Sequence, residues 1–151
     1  MKSYLKKVEI RWSDLDPNFH LRHSVYYDWG AFIRMSVFNE IKITPAIMLQ
    51  HNIGVIIFRE ECVFKKEIIW GDDITVNLKL LQSEKNFRKW TIQHEVFKNE
   101  TTLCAIITLD GAWIDIEKRK LTIPPDFFVE ELNKIPKADN FIWVEKTKNS
   151  E

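Results

Sequence analysis

Apolar and polar residues recur along this chain at intervals that change, and each change marks an element. Residues 4–12, YLKKVEIRW, alternate and predict a strand. A polar stretch over residues 13–23 follows as a loop. Ser24 is placed to cap a helix. In the run after it, VYYDWGAFIRMSVFNEI, Val25, Trp29, Phe32, Ile33, Ser36 and Val37 recur at three- and four-residue steps. That spacing sets them on one stripe of a long helix. TPAIMLQHN adds one or two helical turns that open at Pro45. From Ile53 the period drops to two. IGVIIFREECVFKKEI reads as one long strand, closed by the turn WGDD around Gly71. Ile74, Val76, Leu78 and Leu80 mark the next strand, and RKWTIQHEVF sets Trp90, Ile92, His94 and Val96 on one face of another. TLCAIITLDGAWIDI is a further strand, ended by the turn EKRK. PPDFFVEEL opens with proline and acid, as a short helix does. The chain from about residue 137 to 151 is polar and predicts a loosely held tail.

One strand, a long helix and about four hairpin-connected strands predict an α+β fold in a single domain over residues 1–151. Hairpin-connected strands pair antiparallel, and such a sheet can wrap one long, apolar-striped central helix. This is the layout of a hotdog fold.

Composition narrows the class. Hydrophobic residues make up 45% and charged residues 29% of the 151, ordinary for a globular chain with a core. Lys plus Arg and Asp plus Glu both count 22, so the net charge is zero and the basic excess of a nucleic-acid binder is missing. The start, MKSYLKKVEI, has no apolar run like a secretory signal, and no stretch has the length of a membrane helix. Cys62 and Cys104 form no CxxC pair, which speaks against zinc or a disulfide framework. The expected setting is cytoplasmic, without membrane or nucleic-acid partners.

Within that frame WSDLDPNFH, residues 12–20, stands out, with Asp14, Asp16, Asn18 and His20 at every second position. In extended chain Asp16, Asn18 and His20 share one side. A carboxylate, an amide and an imidazole can orient and deprotonate a water. The start of the long helix follows, where free amides near Val25 and Tyr26 would stabilise an oxyanion. The alternative is that Asp14 and Asp16 cap turns and His20 is exposed. A second oddity is Glu60, which interrupts the apolar face Ile56, Phe58, Cys62 and Phe64, while Arg59 and Glu61 share the opposite face. A carboxylate on a buried face needs a partner or a raised pKa, unless the position is a wet edge.

RWSDLDPNFHLRHSVYYDW resembles the signature of hotdog-fold acyl thioesterases. It is most similar to fatty acyl-ACP thioesterases, with their W-S-D-L-D-x-N-x-H block and an R-E-C element that stands here as Glu60, Glu61 and Cys62. It also resembles the 4-hydroxybenzoyl-CoA thioesterase group, in which an Asp is followed ten residues later by a Tyr, here Asp16 and Tyr26. The likeness continues through WGDD, AIITLDGAWIDI and IPPDF, and so covers most of residues 7–130. It implies Asp16 as catalytic carboxylate, Asn18 as orienting amide and His20 as catalytic imidazole, with Glu61 and Cys62 matching the Glu-Cys pair. The implied reaction is hydrolysis of an acyl-CoA or acyl-ACP thioester, in the setting of fatty acid metabolism. Asp16 would act as general base or as nucleophile. Cys62 is the rival nucleophile, if a neighbouring cation lowers its pKa.

Two departures matter. Arg22 and His23 stand where a pair of asparagines often follows the histidine. The plant acyl-ACP enzymes hold two hotdogs in one chain, whereas this chain has room for one. A lone hotdog sheet ends in an exposed strand, so a homodimer or dimer of dimers is expected. The cluster Lys85, Arg88 and Lys89 would either meet the phosphates of coenzyme A or form a plain surface turn. Trp29 and Phe32 are read as core that also floors an acyl groove. His94 is read as a structural histidine and Cys104 as core. His23 and His51 lack ligand-spaced partners, and neither metal nor cofactor is expected. Two other classes fit the fold: an acyl-CoA-binding module without turnover, and a hotdog dehydratase or hydratase.

Overall fold

The computed structural model describes residues 4–145. The alternating start forms β1 (Leu5–Val8), cut short because the chain enters a single 3-10 turn at Trp12–Asp14. Asp14 closes that turn. It is 1% exposed, and its carboxylate accepts from the Arg11 amide and the Arg11 guanidinium, both at 2.9 Å. Burial alone would raise its pKa, but the bonds and charge of Arg11 outweigh burial and hold it below the usual range.

Helix α1 (Val25–Glu40) begins directly after Ser24, although the Ser24 side chain makes no capping bond. Val25, Trp29, Ile33 and Val37 are buried as the stripe predicts, joined by Tyr26, Gly30 and Phe38. Phe32 is a correction: it is 48% exposed and is not core. The stripe runs one position to the side of where a count of large apolar residues puts it, because Gly30 belongs to the buried face. Helix α2 (Pro45–Gln50) is capped by Thr44, whose hydroxyl accepts from the Ile47 amide at 3.2 Å.

The long strands follow as β2 (Ile53–Phe64), β3 (Ile74–Asn77), β4 (Lys79–Glu84), β5 (Lys89–Lys98) and β6 (Thr102–Asp115). A two-residue β7 (Lys120–Leu121), helix α3 (Asp126–Leu132) and β8 (Lys137–Val144) complete the order. In the sheet β2 pairs with β6, β6 with β5, and β5 with both β3 and β4, all antiparallel, while β1 lies against β3. A curled antiparallel sheet with few helices is consistent with the hotdog arrangement.

Three local corrections follow. The strand read over residues 74–80 is split, because Leu78 gives its amide to the Tyr4 carbonyl at 2.9 Å. The face is legible all the same: Ile74, Val76, Leu78 and Leu80 are at most 1% exposed. The polar tail is structured as β8, which pairs with β4 in parallel and so departs from a purely antiparallel sheet. Its alternation is hidden by polar outward residues, but the Trp143 ring lies edge-on to Phe87 at 5.9 Å. Residues 146–151 of the expected tail lie outside the described residues. Finally, the ladder slips between Ile57 and Arg59, so Phe58 is an extra residue. Across that bulge the period-two phase changes. Ile53 and Val55 face the core before it, and Cys62 faces the core after it, with Glu60 in the same phase.

The core lies between α1, α3 and the sheet. Trp113 is fully buried, with ring centroids 6.0 Å from Phe38, 5.4 Å from Phe128 and 6.5 Å from Trp90. Gly111 on β6 is required here: a Cβ would come within 2.4 Å of the Trp90 ring. Among the described residues no helix is long and apolar enough to cross a membrane.

Candidate functional site

The loop of the WSDLDPNFH stretch is held from within and from without. Asp16 gives its amide to the His20 carbonyl at 2.8 Å, and Phe19 turns through a left-handed φ of 62°. The Asp16 carboxylate accepts through Oδ1 from the amides of Asn18 (2.8 Å) and His20 (3.1 Å). Aspartate at such a turn satisfies amides two and four residues on. From outside, Leu21 gives its amide to the Ile68 carbonyl at 2.8 Å, and His20 bridges to Ile69. The segment leaving β2 thus fixes where the loop stands.

Between them lies a cavity of about 370 Å³, lined by Asp16, His20, Leu21, His23, Tyr26, Phe64 and the run Lys65–Ile68. Asp16 and His20 share it, as does Tyr26 from the first turn of α1. His20 Nε2 lies 3.4 Å from Glu67 Oε2. Tyr26 packs edge-on against Phe64 at 5.0 Å, and burial pushes its hydroxyl up to about 12. Two carboxylates, two imidazoles and a protonated phenol line one space, a set able to move a proton and to stabilise an oxyanion.

The other residues singled out in the sequence are placed elsewhere. Asn18 is exposed and outside the cavity lining. Glu61 is exposed on the outer face of β2 and is paired there with Arg59, so it does not reach the cavity. Cys62 is half-buried, and burial, followed by the charge of Glu60, pushes its thiol up to about 11. A nucleophilic cysteine needs the opposite shift. The Val25 amide is committed to the Arg22 carbonyl at 3.0 Å and is not a free oxyanion donor. Trp29 is buried core, 6% exposed. Arg88 is a correction of another kind: it is 8% exposed and forks onto Glu84, through Nε at 3.1 Å and Nη2 at 2.9 Å. A guanidinium so occupied does not serve a phosphate, and Lys89 lines a different cavity, beside Ser83 and Thr91.

Sequence reading misses the rim of the cavity. Lys65, Lys66 and Glu67 fall inside the one long strand that alternation predicts, although three charges in succession already signal that the strand has ended. It also misses Arg34, a cation inside a helix otherwise apolar on that side. Arg34 Nη1 lies 2.9 Å from His94 Nε2, and His94 Nδ1 lies 2.9 Å from the Asn77 carbonyl. The carbonyl can only accept, so Nδ1 carries the proton and Nε2 accepts from Arg34. Burial, then the Arg34 charge, lowers the His94 pKa to about 3. Gly30 makes room for this pair: a Cβ there would lie 3.1 Å from both Arg34 Nη1 and His94 Cδ2. A glycine within a helix costs about 0.5–1 kcal/mol relative to alanine. Among the described residues no group of His, Cys, Asp and Glu is arranged to hold a metal.

A family model described as the thioesterase-like superfamily matches residues 10–132. A search of curated proteins finds no match. Solved structures similar to the chain include a hypothetical protein from Staphylococcus aureus in complex with CoA, at TM-score 0.81 and 13% identity. That likeness covers 96% of this chain and 89% of the other. A DHNA-CoA thioesterase from Staphylococcus aureus is similar at TM-score 0.76 and 16% identity, over 86% of this chain and 88% of that one. A thioesterase complexed with coenzyme A and Zn from Thermus thermophilus is similar at TM-score 0.71 and 20% identity, over 85% of this chain and 90% of that one. At such identities the likeness is one of fold.

Proposed function

Because the chain belongs to the thioesterase-like superfamily, we propose that it hydrolyses an acyl thioester, carried on coenzyme A or an acyl carrier protein, to free acid and thiol. The observation that carries this reading is the shared cavity of Asp16, His20 and Tyr26 at the start of α1. Asp16, helped by His20, deprotonates a water that attacks the thioester carbonyl, or attacks that carbonyl itself. With the Val25 amide already committed, Tyr26 is assigned as the donor to the developing oxyanion. Lys65 and Lys66, exposed at the rim of the same cavity, are assigned to the carrier's phosphate in place of Arg88 and Lys89. Helix α1 is taken as the long helix that the sheet wraps.

The test is a panel of acyl-CoA thioesters read with a thiol-reactive dye. Thiol release well above background is expected for at least one member. Tight binding without release would replace the hydrolase with a non-catalytic acyl-CoA module.

The reading includes a homodimer; a dimer of dimers would need a second surface. Support comes from β2, whose ladder runs to β6 alone while Ile57, Phe58, Val63 and Phe64 are between 44% and 56% exposed. An edge strand that long and that apolar invites another strand. Sedimentation at micromolar concentration is expected to give at least twice the chain's mass, and a clean monomer would refute the pairing.

A further inference from the structure

A second cavity, of about 540 Å³, opens between α1, α2 and β2, lined by Met35, Phe38, Met48, Val55 and Trp90 among others. Arg34 is the one charged residue in its lining. The two cavities lie along the same seam. Cys62 on β2 stands near Tyr26 and Tyr27 at the start of α1, Glu60 stands near Arg34, and Ile53 and Val55 share the second cavity with Phe38. From Tyr26 to Arg34 is eight residues of helix, about 12 Å. An acyl group whose thioester sits beside Asp16 has that distance to run before it reaches Arg34.

The lining of the second cavity carries two donor side chains, Arg34 and Trp90, and no carboxylate. Among the described residues the Arg34 guanidinium makes one hydrogen bond, to the neutral His94. Trp90 is 4% exposed and buries an indole N–H that has no partner. A buried donor left unmet is costly, and an apolar chain end would offer nothing to the Trp90 N–H or to the rest of the half-buried Arg34 guanidinium. The Arg34 charge already faces that of Glu60, whose Oε1 is buried without a hydrogen bond. A carboxylate entering here would meet Glu60, whereas a neutral oxygen would not. Gly30 leaves room for the Arg34–His94 pair, whose 2.9 Å hydrogen bond fixes one edge of the guanidinium.

We propose that Arg34 is a specificity-determining residue, which with Trp90 selects acyl groups bearing a neutral hydrogen-bond-accepting oxygen, keto or hydroxyl, near their far end. This rests on the thioesterase reading above. The test compares medium-chain acyl-CoA thioesters of equal length that are plain, keto- or hydroxyl-substituted, or carboxyl-terminated. One hydrogen bond from a charged donor is expected to favour the oxygenated member in kcat/KM by roughly 10- to 100-fold over the plain one. Arg34→Met is expected to erase most of that preference by lowering kcat/KM for the oxygenated member. Trp90→Phe, which removes the indole N–H together with part of the ring packed against Gly111 and strands no protein acceptor, is expected to narrow it by lowering kcat/KM for the oxygenated member more than for the plain one, even if Arg34→Met fails to fold. Equal rates on plain and oxygenated members in the unaltered protein, or a preference for the carboxylate, would overturn the assignment while leaving the hydrolase intact. No thiol release from any member would overturn the hydrolase itself.

Discussion

Asp16→Asn is expected to lower kcat on the best thioester by roughly 100- to 10,000-fold, the usual scale of general-base assistance. The variant separates the turn bonds that the carboxylate makes from the basic oxygen proposed for the reaction. Its Oδ1 accepts the amides of Asn18 and His20, and an asparagine side-chain oxygen can accept the same two. The turn should therefore persist while the basic oxygen is lost. The checks are kcat by thiol release and the thermal midpoint, with the first falling steeply and the second nearly unchanged. Full activity in the variant would remove Asp16 from the chemistry and leave it as a turn residue. Cys62→Ala serves as the contrast. Its thiol is held up at about 11, so activity is expected to survive, and a collapse would reinstate the cysteine route.

The largest effect on stability is expected from acid, through His94. Its folded pKa of about 3 lies below the ordinary 6.5, so the fold favours the neutral ring. As pH falls through 6.5 the unfolded chain takes up a proton that the folded chain refuses. Stability contributed by the neutral ring is therefore present above 6.5 and lost as pH falls toward 3, at about 1.4 kcal/mol per pH unit. Over the two units below 6.5 this amounts to roughly 2–3 kcal/mol. Depressed carboxylates such as Asp14 and Glu95 add their losses at lower pH, which leaves the upper part of the window to histidine. Urea unfolding at pH 7 and pH 5 should show the slope, and His94→Gln should flatten it. An unaltered slope in the variant would assign the effect to other groups.

Much of this is legible because periodicity reports which face is buried. Trp90, Ile92, His94 and Val96 share one face of β5 as their spacing requires, and His94 is structural as read. What periodicity cannot report is a local change of phase. The extra residue at Phe58 reverses the inward set along β2, so Ile56 and Phe58 do not share a face with Glu60 and Cys62 as simple counting implies. Nor does it report partners. Arg88 beside Lys89 reads as a basic patch until Glu84, four residues earlier, is seen to hold it. In the loop, alternation brings Asp16 and His20 to one cavity, but it leaves Asn18 outside, because the backbone turns at Phe19 instead of running extended. Strand β8 is hidden because its outward positions are as polar as a tail.

Gly30 has a consequence that reaches past the pair it seats. It stands on α1 between Tyr26, in the polar mouth, and Arg34, in the apolar chamber. With no Cβ, its backbone carries the least steric restraint of any residue in that helix. An alanine there would favour the helix by about 0.5–1 kcal/mol while crowding Arg34 and His94, so the fold gives up helix stability at this point to keep the one cation of the second cavity in place.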